Sequence, residues 1–127
     1  MVALGIDAEP NRPLARGVLE RIGSPTEREN VDELAATLPD VAGDRLLFSI
    51  KEAVYKACFP QARHPLRFAD AVVDIRLDGT FATRLAAGTD DNADGADPTG
   101  RWAADRGLLV SAVVVIGSPY RDARTRL

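Results

Sequence analysis

Asp7 and Glu9 stand two residues apart in the opening stretch Leu4-Gly5-Ile6-Asp7-Ala8-Glu9, while Lys51, Glu52 and Lys56 sit close together further along. On a strand, positions i and i+2 point the same way, about 7 Å apart, so the two carboxylates can hold one Mg²⁺ between them. Gly5 beside them lets a ligand or another stretch of backbone approach closely. The same spacing also fits two carboxylates that face water at an exposed strand end. At about 100° per residue, Glu52 and Lys56 share one side of a helix, away from an apolar arc centred on Ile50 and Val54. An i,i+4 Glu to Lys pair is commonly a solvated ion pair as well. Lys51 falls near the edge of the apolar arc and reaches a ligand only by extending past the core. Phe48 and Phe59 lie on the polar side with Glu52, as a ligand wall or as a contact with another domain. Lys51 and Lys56 are the only lysines among sixteen basic residues, the rest being Arg, and their placement on one helix asks for an explanation.

Composition narrows what these residues can serve. A chain of 127 residues with a formal charge of −3 buries enough surface for one core and leaves little for a second domain. Asp90, Asp91, Asp94 and Asp97 concentrate negative charge between Ala86 and Gly100, and the remainder is too nearly neutral for a nucleic-acid binder. The longest apolar run, Leu108 to Ile116, falls short of the roughly 20 residues of a membrane span, and no basic region followed by an apolar stretch opens the chain. A cytoplasmic location is the expectation. Cys58 is alone and His64 is alone, which leaves no zinc set and points any metal toward oxygen ligands, Mg²⁺ first.

The elements that must position these residues follow from periodicity. Val2, Leu4, Ile6 and Ala8 alternate with Ala3, Gly5, Asp7 and Glu9, the pattern of a half-buried strand ended by Pro10. Leu14, Val18, Leu19 and Ile22 recur at helical spacing up to Gly23, a weak helix with Gly17 inside it. Ser24-Pro25-Thr26-Glu27 combines an N-cap, Pro at the first helical position and Glu three residues after the cap, opening a helix with Val31, Leu34, Ala35 and Leu38 on its stripe and Pro39 at its end. A third helix is expected from Asp44 to Phe59, closed by Pro60. The period then changes to two: Ala71 to Leu77 and Thr80 to Leu85 flank Asp78-Gly79, and Arg101 to Ala104 and Leu108 to Ile116 flank Arg106-Gly107, giving two hairpins. The whole is an α+β domain over residues 1–116, a mostly antiparallel sheet with helices on one face, followed by a tail at 117–127 expected to fray.

Together the motifs resemble a known family, the 4′-phosphopantetheinyl transferases, in the larger type associated with surfactin and enterobactin synthetases. That pattern is apolar-Gly-apolar-Asp-x-Glu on a strand, then aromatic-Ser/Ala-x-Lys-Glu-Ala/Ser-x-x-Lys on a helix. Here it reads Leu4-Gly5-Ile6-Asp7-Ala8-Glu9 and Phe48-Ser49-Ile50-Lys51-Glu52-Ala53-Val54-Tyr55-Lys56. Phe68-Ala69-Asp70-Ala71-Val72-Val73, Gly100-Arg101-Trp102 and Gly107 to Val113 continue the likeness. The resemblance implies transfer of the phosphopantetheine arm of coenzyme A to a serine of an acyl or peptidyl carrier protein, in siderophore, polyketide or nonribosomal peptide biosynthesis. It implies Mg²⁺ on Asp7, Glu9 and Glu52, with Glu52 also helping to deprotonate the serine. It further implies that Lys56, with Lys51, neutralises the coenzyme A phosphate.

Larger-type members have two similar halves with coenzyme A between them, and this chain looks like the C-terminal half alone. The Ser-x-x-His stretch and basic residues that grip the adenine and 3′-phosphate in the family have no counterpart, and His64 is in the wrong setting to replace them. The small trimeric holo-acyl-carrier-protein synthases have this length, but they carry a Ser-x-x-His near the C-terminus that Leu109 to Val115 lacks. The expectation is therefore an incomplete transferase: one half of a split enzyme, a fragment or a truncated product, completed by a missing half or by a second copy. A noncatalytic module that binds a carrier protein or a partner half is the alternative. In either case the surface around Phe48, Phe59 and the first strand is expected to be left apolar.

Overall fold

The computed structural model describes residues 2–58, 67–85 and 97–116. Phe59, Pro60, His64, most of the acidic stretch and the tail at 117–127 lie outside them. Strand β1 (Val2–Pro10) is followed by α1 (Val18–Ile22), α2 (Pro25–Thr37) and α3 (Gly43–Cys58), then a 3₁₀ turn at Phe68–Asp70 and strands β2 (Ala71–Ile75), β3 (Thr80–Leu85), β4 (Thr99–Asp105) and β5 (Leu108–Ile116). All five strands form one antiparallel sheet in the order β1-β5-β4-β3-β2. The first strand thus closes against the last, and the two hairpins fill the rest. This is the α+β architecture expected from the sequence, with α3 lying across one face of the sheet against β1, β5 and β2.

The core lies between α3 and the sheet. Leu46, Leu47, Ile50, Ala53, Val54 and Ala57 on α3 are buried, as are Val73 and Ile75 on β2, Phe81 on β3, and Leu109, Val113 and Val115 on β5. α2 starts as its sequence dictates: the Ser24 hydroxyl accepts from Glu27 N at 3.2 Å while Glu27 Oε1 accepts from Ser24 N at 2.9 Å, the reciprocal capping box. α1 is shorter than the Leu14 to Ile22 spacing suggests. Gly17 takes φ 88° as its N-cap without a side-chain cap, and Leu14 N is drawn instead to Asp44 Oδ2 at 3.0 Å.

The turns show why the glycines matter. Arg106 and Gly107 have φ of 53° and 79°, the two left-handed residues that a tight hairpin needs to match strand twist. At the other hairpin β2 stops at Ile75 rather than Leu77, because Arg76 N bonds Thr80 O and Asp78 Oδ1 accepts from Thr80 N and Oγ1, so the turn is longer than the Asp-Gly pair suggests.

Side chains satisfy the β2 edge and one carbonyl of the β1 edge, a need of unpaired strand edges. On β2, Glu27 Oε2 accepts from Val73 N at 2.7 Å, and Asn30 both accepts from Ile75 N and donates to Ile75 O. α2 thereby supplies the partners a sixth strand would have given. On β1, Lys56 Nζ donates to Ile6 O at 3.1 Å.

β1 turns its small and acidic face inward. Gly5 and Asp7 are buried under α3, whereas Val2, Leu4 and Ile6 are 69%, 58% and 52% exposed. On the same face of β5, Ile116 opposite Val2, Val114 opposite Leu4 and Val110 opposite Ala8 are exposed too, so an apolar strip runs along β1 and β5 on the face away from α3. The first strand therefore leaves an apolar surface as expected. Phe48 is partly buried, its ring packed on Phe68 with centroids 5.5 Å apart.

Candidate functional site

Gly5 is what lets the site form. A Cβ built there would overlap the Ala53 carbonyl oxygen and sit 3.0 Å from Ala57 N, so the close approach that this glycine allows is that of the α3 backbone. With β1 and α3 in contact, residues two positions on from Gly5 meet the end of the helix. Asp7, opposite Ser111 in the β1–β5 register, is 7% exposed, and its Oδ1 accepts from Lys56 Nζ at 2.9 Å. Ser49 and Ser111 hydroxyls meet at 3.0 Å in the same α3–sheet interface. A short polar seam is thus enclosed in an otherwise apolar contact, and each polar group in it has a partner but one. Asp7 Oδ2 is buried with none among the described residues.

Glu9 lies beside Asp7. Its carboxyl titrates above the usual range, first because of burial and then because the Asp7 carboxylate is close; Arg45 opposes both. Arg45 Nη1 reaches Glu9 Oε1 at 3.4 Å, and the same guanidinium donates to Arg12 O and Pro13 O at 3.0 and 3.2 Å. Lys56 titrates higher than a free lysine. The hydrogen bond to Asp7 is the main cause, burial acts against it, and the charges of Asp7, Glu52 and Glu9 add to it.

Asp7, Glu9 and Lys56 are therefore brought together, and Glu52 acts on Lys56 through its charge. Glu52 does not complete a tight set: among the described residues no three His, Cys, Asp or Glu side chains converge closely enough to hold a metal. The donors that do converge nonetheless suit Mg²⁺. A buried carboxylate oxygen without a partner carries an uncompensated desolvation cost that a hard cation relieves. Mg²⁺ also takes only one or two carboxylates when phosphate oxygens and water fill its other positions.

Lys51 is placed elsewhere. Its side chain is 1% exposed, and its ammonium donates to Glu27 Oε1 at 3.0 Å, Ile22 O at 2.7 Å and Phe68 O at 2.9 Å. Burial lowers its pKa, and Glu27 works in the opposite direction. All three of its donor positions are engaged inside the fold, which is the consequence of lying at the edge of the apolar arc rather than beyond it. Beside it, a cavity of about 350 Å³ opens between Glu52, Tyr55, Arg67, Phe68 and Ala71, with the Lys51 stem on its wall and a lining that is mostly apolar.

Arg45, beside the acid pair, and Glu27, beside Lys51, are charged residues whose roles the motifs do not disclose. For Arg45 a signal exists: Arg45, Glu52 and Lys56 are spaced i, i+7, i+11 and share one helix face. Glu27 is legible only as a cap, since nothing local shows that its other oxygen would reach β2.

A five-stranded antiparallel sheet crossed by one long helix, with a buried acid at the seam, defines a class that the comparisons make explicit. Residues 3–104 match the model of the 4′-phosphopantetheinyl transferase superfamily, and the chain belongs to that family. Its curated relatives include the 4′-phosphopantetheinyl transferase Svp of Streptomyces mobaraensis, 48% identical over 118 residues covering 89% of this chain and 47% of the relative. Another is PptT of Mycobacterium tuberculosis, 37% identical over 123 residues covering 89% of this chain and 52% of the relative. The chain spans about half the length of the curated relatives it matches. Among solved structures, the fold is shared with the Helicobacter pylori holo-[acyl-carrier-protein] synthase in complex with coenzyme A, at TM-score 0.65 and 23% identity over 89% of this chain and 99% of that one. It is shared also with the Neisseria meningitidis holo-[acyl-carrier-protein] synthase, at TM-score 0.67 and 16% identity over 92% and 100%. Among the described residues no helix is long and apolar enough to cross a membrane.

Proposed function

We propose that this chain supplies the metal-and-lysine half of a Mg²⁺-dependent 4′-phosphopantetheinyl transferase of the larger type, acting from coenzyme A on a serine of an acyl or peptidyl carrier protein. The observation that carries the reading is the buried, unpartnered Asp7 Oδ2 beside Glu9 and beneath Lys56, in a chain of this family. The half-length match to Svp and PptT supports the larger type.

In the transfer, the serine oxygen bonds to the phosphorus that carries the pantetheine arm, the bond from that phosphorus to the bridging oxygen breaks, and 3′,5′-ADP leaves. Asp7 and Glu9 would hold Mg²⁺, with Glu52 joining them once the pyrophosphate is in place. The metal supplies charge neutralisation on the non-bridging oxygens. Glu52, at the mouth of the cavity, takes the serine proton. Lys56 neutralises phosphate as a point charge, which suits a transfer whose barrier falls chiefly through preorganised positive charge. The cavity flanked by Tyr55, Phe68 and Ala71 is apolar enough for the pantetheine arm. Lys51 serves from inside, holding α3 to α2 so that Glu52 keeps its place.

Transfer of a fluorescent coenzyme A analogue to a carrier protein, by this chain combined with the upstream half of a larger-type relative, tests the reading. Glu52→Ala should lower kcat by about 10²- to 10⁴-fold, as removal of a general base does, whereas Lys56→Ala should mainly weaken coenzyme A. A combined enzyme that keeps most of its turnover without Glu52 contradicts the mechanism. The chain alone should transfer poorly, since the groups that grip adenine and the 3′-phosphate are not among its motifs. A noncatalytic partner-binding half is the second reading, favoured by the exposed strip on β1 and β5; it requires that Mg²⁺ and the coenzyme A pyrophosphate not bind together.

A further inference from the structure

Two cations of α3 sit on the acid pair of β1, and they are held very differently. Arg45 is tied to Glu9 and to two backbone carbonyls, with its side chain 23% exposed. Lys56 has Asp7 and a single carbonyl, its side chain is 51% exposed, and it stands two residues before the helix ends at Cys58. It can swing outward while the helix stays intact, giving up the Ile6 carbonyl together with Asp7.

We propose that Lys56 is a displaceable plug: in the metal-free chain its ammonium occupies the place of a divalent cation on Asp7, and metal entry moves it off the carboxylate and frees it for an anion at the same mouth. The inference rests on the Mg²⁺ reading above. Asp7 has one engaged oxygen and one empty one, and a divalent ion drawn to the empty oxygen would lie within a few ångströms of the ammonium. Two cations so close repel each other. Arg45 cannot yield without losing three acceptors, so the lysine leaves.

Two consequences follow from linkage. Metal affinity is reduced by the fraction of time the lysine holds Asp7. Reciprocally, an anion that draws Lys56 outward raises metal affinity by the same factor that metal raises anion affinity. The plug also explains how a buried carboxylate is tolerated before the metal arrives.

The test is direct binding of Mn²⁺, followed by its electron paramagnetic resonance signal and displaced by Mg²⁺, on residues 1–127 without coenzyme A. Lys56→Gln should bind about two- to fivefold more tightly than the wild type, the size expected when a half-exposed ion pair is removed. Lys56→Arg should bind no more tightly than wild type, and Asp7→Asn should abolish binding in both backgrounds. Equal or weaker binding by Lys56→Gln, with the Asp7 dependence intact, overturns the plug and leaves the metal reading standing. Absence of Asp7-dependent binding in every variant overturns both. A second measurement needs no substitution. The chain has two lysines, so ¹³C-lysine labelling gives two side-chain Cε signals. Mg²⁺ must shift that of Lys56 and leave buried Lys51 in place, and an unmoved Lys56 signal under saturating metal also overturns the proposal.

Discussion

Gly5 and Cys58 show how single atoms set this protein's tolerances. At Gly5 a methyl group would be driven into the α3 backbone rather than into a side chain that could rotate away, so helix and strand must separate. We expect Gly5→Ala to cost about 3 kcal/mol or more in urea unfolding, and to loosen the Asp7–Lys56 contact with it. Cys58 is fully buried, and burial pushes its thiol from an ordinary 9.0 to about 11. Below pH 9 the thiol is protonated in both the folded and unfolded chain and contributes nothing to the pH dependence. Between pH 9 and 11 the unfolded chain ionises while the fold does not, so stability is lost as pH rises, by roughly 2 to 3 kcal/mol at pH 11. Denaturation curves across this range should flatten in Cys58→Ala. An equally steep alkaline loss without the thiol would assign it to other groups.

At the scale of elements, the buried pair of Glu27 and Lys51 fastens α2, α3, the end of α1 and β2 at one point. Glu27 is 2% exposed and Lys51 3%, and between them they engage Ser24 N, Val73 N, Ile22 O and Phe68 O. Removing one partner strands the other charge away from water, so Glu27→Ala or Lys51→Ala should each destabilise by about 3 to 5 kcal/mol. Glu27→Ala and Lys51→Ala combined should cost less than the sum of the two, which a double-mutant cycle on unfolding free energies measures. If either single substitution left stability unchanged, the pair would not be the fastening described. The same experiment bears on function, because Glu52 follows Lys51 directly and moves with it.

At the scale of the whole molecule, the sheet is covered on one face only among the described residues. The strip of Val2, Leu4, Ile6, Leu108, Val110, Val114 and Ile116 is exposed at 39% to 69% per residue, a contiguous apolar surface of the kind that drives association. Sedimentation velocity of residues 1–127 should show concentration-dependent self-association, reduced by Leu4→Lys with Val114→Lys. A monomer at all concentrations would show that the strip is not sticky on its own.

The local motifs were legible because they depend on neighbours in sequence: the Ser24–Glu27 capping box, the Arg106-Gly107 hairpin and the stripe of α3 each follow from side chains a few positions apart. Phe48-to-Lys56 and Leu4-to-Glu9 likewise carry the resemblance to the family, as contiguous motifs. What the sequence could not determine is which face of β1 turns inward. Alternation identifies two faces and favours the apolar one for the core, yet the inward face carries Gly5 and Asp7, because only a residue without a Cβ lets α3 approach the strand. The different fates of the two lysines were equally hidden. They lie five residues apart on one helix, and the partners that separate them, Glu27 for Lys51 and Asp7 for Lys56, come from segments whose positions exist only once the chain has folded.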